Sequence, residues 1–120
     1  MLDNTMEKAR ELGRLIGQTE EFRALDRARE RVTSDRELVR LTNRLAELEE
    51  TLGNALRRGE TPDEEVRDEY ERTFSELQAS ATYQSLIAAQ TNFEKVLARV
   101  NDEIARGMEA GARSRIILPS

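Results

Sequence analysis

The sequence predicts an all-α protein: an antiparallel helical bundle of four to five helices with a long C-terminal helix, oligomerising through helix packing. Three observations predict it. Apolar residues recur at steps of three and four along nearly the whole chain, the spacing of one helix face. Six glycines and two prolines among 120 residues leave room for only a few short loops. Charged residues make up 36% and hydrophobic residues 38%, aromatics are 4% and Trp is absent, which suits long helices burying one stripe rather than a thick core. This length is that of one ordinary domain. The helical unit is placed at residues 1–110, with a flexible C-terminal tail at 111–120.

The first helix is expected over about Asp3 to Ile16, with Met6, Ala9, Leu12 and Ile16 on one face. Gly17 can take the left-handed conformation that stops a helix. Thr19 then caps a second helix with Glu20 and Glu21 in its first turn, where acids suit the dipole. Gly17-Gln18-Thr19 is equally compatible with a kink in one longer helix. Phe22, Leu25, Ala28 and Val32 form the buried stripe of the second helix.

Ser34 to Glu37 reads as a capping box that opens the third helix. Leu38, Leu41, Leu45, Leu48, Leu52 and Ala55 follow as a heptad seam. Arg57 and Arg58 suit its last turn, and Gly59 is a stop. Thr61-Pro62-Asp63-Glu64 predicts the next start, with threonine as cap and proline in the first helical position. The fourth helix then presents Val66, Tyr70, Thr73 or Phe74, and Leu77. Ala79-Ser80-Ala81-Thr82 is a small-residue stretch where the helix breaks or runs on. The fifth helix carries Tyr83, Leu86, Gln90, Phe93, Leu97, Val100, Ile104 and Met108, a span on the order of 40 Å at 1.5 Å per residue. From Gly111 the character changes, with apolar Ile116-Ile117-Leu118 ended by Pro119.

An amphipathic helix must bury its stripe to offset the cost of ordering it. Short loops make sequential helices antiparallel neighbours. The fifth helix outreaches the others, so its surplus length calls for a second chain, most simply in a twofold dimer. Leu12, Phe22, Leu41, Leu45, Leu48, Phe93, Leu97, Val100 and Ile104 are the expected core or oligomer-packing residues. Gln90 and Asn101 interrupt or flank the last stripe, where a polar side chain can set register or simply meet water at the boundary.

Composition excludes several chemistries. Cysteine and histidine are both absent, which removes disulfides, thiolate nucleophiles, iron–sulfur ligand sets and the usual general base at neutral pH. Without histidine the Glu-x-x-His signature of di-iron bundles cannot occur. No phosphate-cradling glycine loop, EF-hand loop or nucleophile elbow is present. No catalytic residue, cofactor, metal or small-molecule substrate is therefore expected. The N-terminus lacks a signal-peptide pattern and no apolar run approaches membrane-spanning length, so a cytoplasmic protein without membrane insertion is expected. Formal net charge of −5 argues against direct, unaided nucleic-acid binding.

A local basic patch is still compatible with that charge. Arg23, Arg27 and Arg31, then Arg36, Arg40 and Arg44, recur in steps of four and place each trio on one helix face. The segment 60–76 holds Glu60, Asp63, Glu64, Glu65, Asp68, Glu69, Glu71 and Glu76 against Arg67 and Arg72. Neutralisation of the arginine faces by these acids is the plain reading. The alternatives are a nucleic-acid-binding face, an acidic protein partner, or a structural, chaperone-like coiled coil.

Two end segments carry a resemblance. Ala9, Leu12, Gly13 and Thr19-Glu20-Glu21-Phe22 near the start, with Phe93, Val100, Asn101 and Ile104 near the finish, resemble the YlbF/YmcA family of small helical bacterial regulators. The heptad-like middle and the Thr61-Pro62 start suit the same layout, so the resemblance covers nearly the whole chain. It implies an all-helical, self-associating regulatory adaptor, not an enzyme. It further implies links to competence, sporulation and biofilm formation, with sibling family members and the endoribonuclease RNase Y as partners in mRNA processing. The C-terminal cysteines that bind an iron–sulfur cluster in well-known members have no counterpart here, so that cofactor is not carried over.

Overall fold

The computed structural model describes residues 2–117, with side chains through Ser114. Among these residues are five α-helices and no strand: α1 (Leu2–Gly17), α2 (Glu20–Ser34), α3 (Arg36–Arg57), α4 (Glu64–Ala79) and α5 (Ala81–Ile117). The chain runs out along α2 and α3, turns, and returns along α4 and α5. α3 pairs with α4, and α2 pairs with the first part of α5. The result is a long, flat body of 72 × 37 × 22 Å.

The turn at the far end depends on Gly59, whose φ of +71° is the left-handed conformation that L side chains adopt only at a cost. Its N–H donates to the Leu56 carbonyl, and the Glu60 N–H donates to Ala55, closing the end of α3. Gly17 does not share that conformation. α1 ends instead through Gln18 and Thr19, whose N–H groups donate to Leu15 and Ile16. The Thr19 hydroxyl donates to the Ile16 carbonyl at 2.7 Å and accepts from the Phe22 N–H at 3.2 Å, so one side chain ends α1 and caps α2.

Two expected caps move along the chain. Ser34 stays in the last turn of α2, and Asp35 caps α3 by accepting from the Leu38 N–H at 3.1 Å. Thr61 and Pro62 are not in α4. Asp63 caps it, accepting from the Glu65 N–H, and residues 60–62 are used to cross between helices. Aspartate in the extended conformation is at least as good a cap as serine or threonine, and in both cases the acid stands nearer the helix.

The small-residue stretch does break. The Ser80 N–H donates to Leu77 to end α4, its Oγ accepts from the Tyr83 N–H at 3.2 Å, and its carbonyl accepts from Gln84. Both arms of the hairpin therefore bend at a single extended residue, Asp35 in one and Ser80 in the other, and these two residues line the same crevice. α5 runs through Gly111 to Ile117, into the stretch 111–120 expected as a flexible tail. A lone glycine costs a helix only about 1 kcal/mol relative to alanine, and Arg113 reaches back to Glu109 across it at 2.9 Å. Leu118, Pro119 and Ser120 lie outside the described residues.

The core divides at the level of the bends. Leu38, Leu41, Leu45 and Leu77 form one cluster, flanked by Val32, Tyr70 and Tyr83. Leu25, Ala28 and Ala89 form another, flanked by Leu86 and Phe93. Phe22 meets Phe93 edge to face, with ring centroids 5.3 Å apart. Of the two candidates on α4, Thr73 is buried and Phe74 is 38% exposed, stacked on Tyr70 at the edge.

Leu38 is 1% exposed, so Leu38→Ala is expected to destabilise the fold by about 3 kcal/mol, the usual cost of a leucine-to-alanine cavity. Asp35→Ala should cost about 1 kcal/mol through the lost cap. Urea unfolding followed by helical circular dichroism checks both.

Candidate interaction surface

α1 is amphipathic, yet none of its residues is buried. Its stripe leaves Leu2 69%, Met6 47% and Leu15 53% exposed, with Leu12 and Ile16 half-buried. An isolated helix of about this length is marginal in water. The chain therefore presents a strongly patterned helix whose apolar face has little to cover it.

α5 has the complementary surplus. Its 37 residues span about 55 Å, whereas the 15 residues of α2 span about 22 Å. Leu86, Ala89 and Phe93 pack against α2. Beyond them Val96 and Val100 are half-buried, while Leu97, Ile104 and Met108 are exposed. α1 meets this second half of α5 at Leu12 without closing on it. An open groove of about 770 Å³ remains, lined by Leu12, Val96, Val100 and Ile104, with Arg99, Asp102, Glu103 and Arg106 at its rim. Apolar floor, charged rim and helical walls suit the helix-in-groove mode of recognition.

The expected packing residues thus separate. Leu41, Leu45 and Leu48 are buried within the chain, and Phe22 and Phe93 pack on each other. Leu12, Val100 and Ile104 line the groove, and Leu97 is exposed nearby. Val96 was not singled out from the sequence. The signal was its place one turn before Val100, on a face parallel to the expected Leu97 stripe.

The six arginines do not form one surface. Arg27 donates to Glu20 at 2.9 Å, and Arg40 pairs with Glu37 on its own helix. Arg44 bridges α3 and α4, with Nε on Glu69 Oε2 at 2.6 Å and its terminal nitrogen on Oε1 at 2.8 Å, and also reaches Glu47 at 2.9 Å. Arg40 and Arg44 share a small crevice with Glu69, Arg72 and Glu76. Arg23, Arg31 and Arg36 are exposed. The bidentate bonds from Arg44 hold the Glu69 carboxyl below the usual range, and the Arg44 guanidinium is pushed up in return. Arg40 acts likewise on Glu37.

Among the described residues, no group of three or more Asp or Glu side chains is placed to hold a metal ion. No helix among them is long and apolar enough to cross a membrane.

A family model described as "Control of competence regulator ComK, YlbF/YmcA" matches residues 5–109. The fold is similar to that of RicA from Bacillus subtilis, solved by X-ray crystallography in complex with RicF. The TM-score is 0.80 at 20% sequence identity, covering 91% of this chain and 96% of that one. No curated protein sequence matches the chain.

Because Glu69 binds its proton less readily folded than unfolded, its contribution is full at neutral pH and fades as pH falls through its lowered folded pKa. Glu69→Gln should lower the thermal midpoint at pH 7. The gap from the parent chain should shrink on acidification below about pH 4, the ordinary glutamate range. Melting curves of both proteins between pH 7 and pH 3 check this.

Proposed function

The chain belongs to the YlbF/YmcA family, and from that premise we propose that it is a non-enzymatic regulatory adaptor that self-associates and binds other proteins through α1 and the second half of α5. The observation that supports this most directly is α1 itself, a 16-residue amphipathic helix with no buried residue, set beside an uncovered length of α5. A surface of this kind is what a helical adaptor offers to another helix. RicA, which shares the fold, was crystallised together with RicF, so this architecture supports a complex between two proteins.

On this reading the helical domain of residues 1–110 is the binding module. Its partners are further copies of itself, sibling family members and RNase Y. The process it serves is RNase Y-dependent mRNA processing, with competence, sporulation and biofilm formation downstream. The nucleic-acid alternative is weaker, because Arg27, Arg40 and Arg44 already pair with acids of the same chain.

Affinity purification of the tagged chain from its host, followed by mass spectrometry, tests the adaptor reading. A ribonuclease or a sibling family member is expected in the eluate. Leu97→Asp should reduce its recovery by about tenfold, the equivalent of 1.4 kcal/mol. Recovery of the chain alone would count against the ribonuclease link, and an unchanged yield with Leu97→Asp would move the binding face elsewhere.

A further inference from the structure

Each arm of the chain bends at one residue. Asp35 ends α2 and caps α3, with φ −90° and ψ 101°. Ser80 ends α4, with φ −69° and ψ 124°, and its Oγ caps α5 by accepting from the Tyr83 N–H. The two bends share an open crevice of about 340 Å³, with Glu37, Leu38 and Glu76 beside them. Residues at element ends of this kind are where hinges absorb changes in φ and ψ.

We propose that Asp35 and Ser80 form a double hinge, about which the α3–α4 pair and the α2–α5 pair turn against each other as rigid bodies, with the crevice as its mouth. This goes beyond the adaptor reading and does not rest on it. Each pair is packed as a unit. α3 and α4 enclose Leu38, Leu41, Leu45 and Leu77 and are tied by Arg44 on Glu69. α2 and α5 enclose Leu25, Ala28 and Ala89, with Phe22 against Phe93. Between the pairs the connection is thin. The two clusters share no residue. Among the described residues no ion pair joins α3 or α4 to α2 or α5. The side-chain hydrogen bonds that cross a bend stay close to it, such as that from Gln84 Nε2 to the Gln78 carbonyl at 2.9 Å.

The contacts that do cross the hinge are placed to tolerate rotation. Val32 and Tyr83 pack on the first cluster, and each stands three residues from its bend, about 5 Å along the helix. A turn of about 15°, the size of a known rigid-body transition, moves them by only about 1 Å. The same turn carries the far end of α5, about 55 Å away, through about 14 Å. The open groove at that end therefore swings relative to the acidic helix α4, while both core clusters keep their internal contacts.

The chain has no cysteine, so thiol-directed spin labels report only introduced positions. In the full chain, Glu50→Cys with Lys95→Cys spans the hinge. Glu50→Cys with Ser75→Cys lies within α3–α4, and Arg31→Cys with Lys95→Cys lies within α2–α5; all four positions are exposed. Each labelled protein is diluted in unlabelled chain, so that distances between copies do not contribute, and is measured by double electron–electron resonance. Lys95 stands about 22 Å from Ser80, so the spanning pair is expected to give a distribution about 6 Å broader than either internal pair. Asp35→Gly or Ser80→Gly frees the hinge backbone and should broaden the spanning distribution further, with both internal pairs and the helical circular dichroism unchanged. A spanning distribution as narrow as the internal ones overturns the proposal. So does one that ignores both glycine variants, which moves the pivot elsewhere. Glycine variants that broaden the internal pairs as well report melting rather than rotation and equally overturn it.

Discussion

Closure of α3 on α4 is the constraint from which the remaining geometry follows. Leu38, Leu41 and Leu45 come from one helix of the pair and Leu77 from the other, and their burial fixes which faces meet. Arg44 and Glu69 then lock the register with two parallel charge-assisted bonds across the same pair. Once these helices are set, their outer ends at Asp35 and Ser80 lie side by side, so α2 and α5 must leave the turn in company. The second core cluster, around Leu25, Ala28 and Ala89, is where they meet.

The distribution of charge complements that packing. Ion pairs on this surface are mostly local, joining residues three or four apart, and such exposed pairs contribute little stability. Arg44 with Glu69 differs because it joins two helices far apart in sequence. Most of the acids of α4 face solvent, giving the Gly59 end of the body a field that the α1 end lacks.

Much of this architecture is legible in the sequence because helical periodicity is a direct imprint of burial. The seam from Leu38 to Leu48, the stop at Gly59 and the excess length of α5 can all be read from spacing. Cap positions are less legible, since Ser34 and Asp35, or Thr61 and Asp63, are neighbouring residues with similar capping chemistry. Which of them takes the extended conformation is decided by how the helices must cross, a tertiary matter. The end of α5 is also less legible, because a glycine such as Gly111 permits a stop without imposing one. The groove is legible only in part. The stripe of α1 is plain in the spacing of Met6, Leu12 and Ile16, but periodicity cannot say whether a stripe is covered by its own chain.

The nesting of the contacts has a further consequence for chain entropy. Arg44 and Glu69 are 25 residues apart, while Phe22 and Phe93 enclose a loop of roughly seventy residues. Each inner contact brings the next pair outward into range, so the body closes like a zipper fastened at Gly59, and α1 is its last tooth. The open groove stands at that last tooth, where the chain's own contacts hold least. A partner that binds there only when α1 is helical stabilises α1 by mass action, so occupancy of the groove and order in α1 would be thermodynamically linked.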